Sequence, residues 1–192
     1  MIAMPQTPGA TGLAGVHREI AVLAELFPRL RVRRGAEATR AEVLEALPGA
    51  PWLHLACHGA QDLTSPAEGR ILLYDGDLRL PDLSGQRLPG AELAFASACH
   101  TSRGGLNVPD EGLTVVAALQ LAGFRHVIGT LWAIADSEAP ALAHDVYTGL
   151  RTPAGGIVTD STAAALHHAV RRLRDRFPQR PVIWSPYVHI GP

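Results

Sequence analysis

Two short apolar runs, each stopping at a reactive side chain, constrain this chain more than anything else in it. Leu53-His54-Leu55-Ala56-Cys57 runs into His58-Gly59. Leu93-Ala94-Phe95-Ala96-Ser97-Ala98 runs into Cys99 and then into the loop Thr101-Ser102-Arg103-Gly104-Gly105. Runs this short and this apolar suit parallel strands buried on both faces. If the two strands are parallel neighbours, His58 and Cys99 emerge side by side at the carboxyl edge of one sheet. Open α/β sheets keep their working sites at that edge.

The rest of the pattern supplies the covering layers. Residues 1–15, rich in Pro, Gly and Thr, read as a loose lead-in, which places the domain at 16–192. Val16, Ile20, Leu23 and Phe27 recur at helical spacing, and Pro28 ends that helix. Residues 30–33 form a short strand. Thr39-Arg40-Ala41-Glu42 has the form of a capping box, and the helix after it carries Val43, Leu44 and Leu47. From His58-Gly59 a polar loop reaches Glu68. Residues 70–74 and 78–80 flank Asp75-Gly76-Asp77 as a hairpin, and 81–88 hold a helical turn. Asp110 is the expected N-cap of a helix bearing Leu113, Val116, Ala117 and Leu121, closed by Gly123. Residues 125–131 are a third apolar strand, ending at Trp132. Asp136-Ser137-Glu138 precedes a helix running to Leu150. Asp160 or Ser161 starts the last helix, with Ala163, Leu166, Val170 and Leu173 inward. Residues 184–190 offer an edge strand. Strands alternate with helices almost throughout, which argues one domain built on a mainly parallel sheet covered on both faces.

Composition removes several classes of function. At 192 residues the chain can bury one sizeable core. Its 17 Lys plus Arg against 18 Asp plus Glu leave a net charge of −1. That balance supplies no basic field for phosphates, so a nucleic-acid partner is not expected. No apolar run approaches the roughly 18 residues of a membrane helix, and the amino end lacks the regions of a signal peptide. Two cysteines do not make a disulfide framework, so a reducing cytoplasm is the default. Abundant Ala, Gly, Pro and Arg fit a GC-rich bacterial genome.

The two strand ends carry complementary chemistry. A free thiol is mostly protonated at neutral pH. A neighbouring histidine takes that proton and later returns one to the leaving group. Gly59 has no side chain, so its N–H can approach a developing oxyanion, and with the N–H of Cys99 it would hold a tetrahedral intermediate. Other readings compete. Cys57-His58 and Cys99-His100 contain zinc-ligand types, but the Cys-x2–4-Cys spacing of structural sites is missing, so no metal is expected. Gly104-Gly105 comes with neither Lys-Ser nor Gly-x-Gly-x-x-Gly, which argues against a nucleotide. His54, inside the first run, and His126 read as satisfied core histidines, while His167-His168 face solvent. Asp136 and Glu111 read as caps or first-turn acids favoured by a helix dipole.

The motifs together resemble the CHAT domain, a caspase-like domain often found after tetratricopeptide repeats in bacterial proteins. Residues 53–59 match its His-Gly motif and Ser97-Ala98-Cys99 its Ser-Ala-Cys motif. Asp110-Glu111-Gly112-Leu113 is similar to its Gly-Glu-Gly-Leu helix start. Residues 127–132 resemble its later strand and Trp, with Asp136 in the usual acidic position, and residues 184–191 approximate its closing Trp-x-x-Phe-x-x-x-Gly. The resemblance implies a three-layer α/β/α sandwich of about six strands, in a clan of cysteine peptidases that includes caspases and separase. It implies His58 as general base, Cys99 as nucleophile, and no metal or cofactor. It also implies regulated cleavage of a protein partner, under control of an N-terminal repeat or sensor region, by a domain that is latent in isolation. An acid in the pocket would select Arg or Lys. Asp136 and Glu111 are candidates for that acid, with Asp62 and Trp132 lining the groove. The family often has Glu directly after the cysteine, where this chain has His100, and the loop at 102–109 is its own. The rival reading is a catalytically silent interaction module with the same fold.

Overall fold

The computed structural model describes residues 1–60, 69–97, 114–152 and 156–192. In chain order these hold strand β1 (Ile2–Ala3), helix α1 (Gly15–Leu26), β2 (Arg33–Arg34), α2 (Arg40–Ala46), β3 (Trp52–Ala56) and β4 (Gly59–Ala60). Then come β5 (Arg70–Leu72), β6 (Asp77–Arg79), α3 (Leu80–Ser84), β7 (Leu93–Ser97) and α4 (Val115–Ala122). The remainder is β8 (His126–Thr130), α5 (Ala139–Leu150), α6 (Thr162–Arg176), α7 (Pro181–Trp184) and β9 (Tyr187–Ile190). Six strands form one sheet in the order β2-β1-β3-β7-β8-β9, parallel throughout except for β9, which closes one edge antiparallel to β8. Strands β4, β5 and β6 make a small antiparallel sheet beside it.

Successive side chains of a strand point to opposite faces, and this sorts the core into two layers. Leu53 and Leu55 of β3, Cys57 just beyond it, Ala94 and Ala96 of β7, and Val127 pack with α2, α3 and α4. Leu93, Phe95 and Ile128 face the other way, against α1, α5 and α6. Each large aliphatic side chain so buried contributes roughly 1.5–3 kcal/mol. The architecture is the caspase-like α/β/α sandwich that the resemblance implies, and β3 and β7 are indeed parallel neighbours.

Local signals decide where most elements start and stop. Thr39 Oγ1 accepts from the N–H of Glu42 at 3.3 Å and starts α2. Thr114 Oγ1 accepts from Ala117 N–H at 3.1 Å and starts α4 at Val115, while the expected cap Asp110 lies outside the described residues. Gly123 closes α4 at φ +127°, where a side chain would be strained. Neither Asp160 nor Ser161 caps α6 through its side chain; Asp160 pairs with Arg125 at 3.0 Å instead. Ala163 faces solvent, and Ala165 and Ala169 fill the inward positions beside Leu166 and Leu173.

Three expectations need correction. Residues 1–15 are not a loose lead-in: β1 lies inside the sheet between β2 and β3, and Ala3 and Met4 are fully buried. Two residues are too few for periodicity to register, and the prolines and glycines around them dominate the local composition. The loop after His58 is not wholly irregular, because Gly59 and Ala60 pair with β5. The terminal strand starts only at Tyr187, after a short helix from Pro181 to Trp184.

Candidate active site

The carboxyl edge of β3 and β7 is where the chemistry gathers. The last register pair of these strands is Ala56 with Ser97. His58 stands two residues past β3, half-buried, with Nε2 at 2.7 Å from the main-chain oxygen of Thr11. A carbonyl can only accept, so Nε2 carries the hydrogen and donates it. In the neutral ring this leaves the lone pair on Nδ1. The backbone thus fixes both the tautomer and the orientation of a potential general base.

Thr11 belongs to a loop that leaves β1 and crosses this edge. Met4 N–H donates to Ala56 O at 2.8 Å, pinning the start of the loop to the end of β3. Leu13 N–H donates to Pro5 O at 2.9 Å and closes the loop at its neck, and Ala10 N–H donates to Thr7 O at 3.1 Å within it. The loop feeds directly into α1. There the N–H of Gly15 donates to Asp136 Oδ2 at 2.7 Å, and Arg18 Nη2 donates to Ser137 O at 3.1 Å. A Cβ on Gly15 would collide with the Asp136 carbonyl, so the close approach requires glycine. The segment after β8 is thereby stitched to the amino end of α1, where a carboxylate suits the orphan N–H groups and the dipole.

Gly59 is oriented by the small sheet. Leu72 N–H donates to His58 O at 2.9 Å, and Gly59 faces Ile71 across the ladder. That bond makes Gly59–Ile71 a non-hydrogen-bonded pair, so the Gly59 N–H points away from β5. An oxyanion donor needs such an outward N–H.

Of the other expected site residues, Cys99, Asp62 and Glu111 lie outside the described residues. Trp132, half-buried past β8, donates from Nε1 to Val182 O at 3.0 Å. Asp136 is half-buried, with Oδ2 engaged by the start of α1 and not by the helix that follows it in sequence. The structure therefore brings His58 and Asp136 to two points of one short stretch, residues 11–15. Among the described residues, no three His, Cys, Asp or Glu side chains come together as metal ligands.

Beneath the site lies a polar network that the sequence reading only half foresees. His54 is buried, with Nε2 at 2.9 Å from Glu19 Oε1 and Nδ1 at 3.1 Å from the Tyr147 hydroxyl. It is the satisfied core histidine expected of it, and the Phe95 ring packs edge-on at 5.0 Å. Burial and the charge of Glu19 hold the Tyr147 phenol well above its ordinary range. The sequence reading passes over Glu19, although a signal was present: it sits three residues after Val16 and four before Leu23, on the inner face of α1, where a buried acid demands a partner. His126 is buried too, but it is only half satisfied: Nδ1 lies 3.1 Å from His189 Nε2, whereas the buried Nε2 has no hydrogen-bond partner among the described residues and stands 3.8 Å from Asp160 Oδ1; His167 and His168 are exposed.

The fold is similar to that of several cysteine peptidase structures. One is the Arg-specific cysteine proteinase gingipain R, with a TM-score of 0.67 and 10% identity over 99% of this chain and 45% of that one. Another is the complex of the pro- and mature domains of RgpB from Porphyromonas gingivalis, at 0.64 and 12% over 99% of this chain and 46% of that one. A third is the Saccharomyces cerevisiae separase–securin complex, at 0.64 and 11% over 99% of this chain and 11% of that one. This chain thus spans less than half the length of each, and at such identities the likeness is one of fold. No curated protein sequence gives a significant match. The CHAT domain model matches residues 1–192, the whole length over which the strand-end motifs and the sandwich are laid out, and the chain belongs to the CHAT domain family.

Proposed function

We propose that the domain is a cysteine endopeptidase in which His58 activates Cys99. His58 Nδ1 takes the proton from the Cys99 thiol, and the thiolate attacks a peptide carbonyl carbon. The N–H groups of Gly59 and Cys99 hold the oxyanion. His58 then gives its proton to the departing amine, and water hydrolyses the acyl-enzyme. One observation carries this reading. The ring of His58 is fixed by Thr11 with Nδ1 as its acceptor, beside a strand whose Ser97 pairs with Ala56. His58 follows Ala56 by two residues, as Cys99 follows Ser97.

The substrate is a specific protein partner, cut in the bacterial cytoplasm under control of a sensor or repeat region in a longer polypeptide. The groove is lined by Trp132 and Asp62, and an acid, Asp136 or Glu111, selects Arg or Lys before the cut. That gingipain R is Arg-specific supports a basic preference. With Asp136 Oδ2 bonded to Gly15, its place in the pocket needs the other carboxylate oxygen to face the substrate.

A diverse peptide library treated with the wild type, Cys99→Ala and His58→Ala, together with timed iodoacetamide labelling, tests the reading. Cuts that vanish in both variants, with Cys99 alkylated faster in the wild type than in His58→Ala, are expected. Buried Cys57 is the internal control for slow labelling. An intact library together with labelling of Cys99 that is indifferent to His58 would overturn the dyad and favour the silent interaction module.

A further inference from the structure

Helix α1 runs along β3 in the opposite sense, and three rungs join the two segments. Farthest from the candidate site, the Phe27 and Trp52 rings meet with centroids 6.0 Å apart. In the middle, Glu19 Oε1 stands 2.9 Å from His54 Nε2. At the site itself, the Thr11 carbonyl holds His58 Nε2 at 2.7 Å, from the loop that feeds the helix. The middle rung differs from its surroundings. Glu19 and His54 are 2% and 4% exposed, inside a layer otherwise built from apolar and aromatic side chains.

Donors and acceptors fix the roles in that rung. Among the described residues the Tyr147 hydroxyl has one hydrogen-bond partner, His54 Nδ1 at 3.1 Å. The hydroxyl therefore donates to Nδ1, and His54 keeps its own hydrogen on Nε2, aimed at Glu19. The rest of the inner face of α1 is apolar, with Val16, Ile20 and Leu23. Apolar packing is non-directional, so by itself it tolerates small slides of the helix along the sheet. A buried carboxylate does not. Moved by about 1 Å, it leaves hydrogen-bonding range and stands unpaired in apolar surroundings. The bond from Thr11 to His58 has the same narrow range. Thr11 is tied to the helix by the neck bond from Leu13 to Pro5 and by the bond from Gly15 to Asp136. Gly15 and Glu19 are four residues apart, about 6 Å of helix. His54 and His58 are also four residues apart, about 13 Å of extended chain. Two short, stiff segments are thus fastened to each other at both of these points.

We propose that Glu19 is a positioning residue for His58. The proposal rests on the reading of His58 as general base. Glu19 acts through His54: their bond sets α1 along β3, and α1 delivers the Thr11 carbonyl to the ring. What the buried acid supplies is register, and the tautomer of His58 is what the register decides. Specifying one arrangement, and not adding stability, is the best-attested use of buried polar groups.

Three variants separate this role from plain stability. Glu19→Gln keeps an acceptor for His54 Nε2. The triple variant Glu19→Leu/His54→Leu/Tyr147→Phe replaces the whole network by apolar groups, a change that commonly leaves stability in place. Leu119→Ala weakens the opposite layer of the core, away from α1. The His58 ring nitrogens are read by NMR at a pH where the ring is neutral, and alkylation of Cys99 by iodoacetamide is timed. The wild type, Glu19→Gln and Leu119→Ala are expected to carry the hydrogen on Nε2 alone. In the triple variant the unfolding midpoint is kept, the two tautomers mix, and alkylation slows by roughly 3–30-fold, a part of the 10²–10⁴ that a base supplies. A triple variant that keeps the single tautomer overturns the proposal. A mixture in Leu119→Ala overturns it too, because lost stability would then be the cause. If the triple variant does not fold, Glu19→Ala takes its place against Leu119→Ala, with the same two outcomes. The ring signal does not depend on Cys99. Alkylation indifferent to His58 would sink the dyad, while the tautomers would still decide the part of Glu19.

Discussion

The ring of His58 and the carboxylate of Asp136 are fastened to one stretch of main chain, Thr11 through its carbonyl at 2.7 Å and Gly15 through its N–H at 2.7 Å. The base of the proposed dyad and the first turn of α1 are therefore positioned together. What happens to residues 11–15 should be felt at both.

Replacing His58 by Ala should lower cleavage, or alkylation of Cys99, by roughly 10²–10⁴-fold, the usual contribution of a general base. Thr11→Ala should leave the rate within about threefold, because Thr11 acts through its backbone. Rate measurements on the two variants check this; a large loss in Thr11→Ala would mean that its side chain, not its carbonyl, orients the ring.

Gly15→Ala forces a methyl group against the Asp136 carbonyl and should cost about 1–3 kcal/mol of stability, the usual range for overpacking. Asp136→Ala leaves the Gly15 N–H without its acceptor and should cost about 1 kcal/mol. Denaturant unfolding of both variants measures this. If Asp136 instead serves only the substrate pocket, its removal would shift the residue preference before the cut and leave the unfolding midpoint in place.

The Glu19–His54–Tyr147 network predicts a graded response. Glu19→Ala strips a buried partner from His54 and should cost about 3 kcal/mol or more. Tyr147→Phe removes one hydrogen bond and keeps the ring that packs on Phe27 and Phe95, so about 1 kcal/mol is expected. Chemical denaturation of each variant is the check, and equal losses would mean the three do not act as drawn.

Stability should depend on the charge state of Met1. Its amino group titrates near 6 in the folded chain against 8.0 when exposed. Between these values the unfolded chain binds more protons, so stability rises with pH across that window. The contribution is complete above 8.0 and is lost as pH falls through about 6, for a total of about 2–3 kcal/mol. Acetylating the amino group should remove this portion of the pH dependence. Unfolding curves of acetylated and unmodified chains from pH 5 to 9 read the difference directly.

Much of the scaffold was legible because β3, β7 and β8 are buried on both faces and must be written in apolar residues; the run from Trp52 to Cys57 leaves few alternatives. Helices α1 and α5 were legible for the complementary reason that one face repeats. β1 was not, since Ile2–Ala3 owes its strand to neighbours that arrive more than thirty residues later. In the candidate site, His58 and Gly59 were marked by ending an apolar run. Asp136 was marked as an acid before a helix, yet its partner is the first residue of a different helix, 121 positions away. No local pattern encodes such a meeting. It follows from α1 and the segment after β8 being packed on the same face of the sheet.

β1 carries its influence past its own two residues. The chain that leaves it bonds to the end of β3 through Met4, and the loop that follows is closed at its neck by Leu13 and Pro5. That loop holds the Thr11 carbonyl which decides the tautomer of His58. A chain whose amino end has not yet docked between β2 and β3 therefore also lacks a base with its lone pair fixed on one nitrogen, so completion of the sheet and readiness of the histidine arrive together.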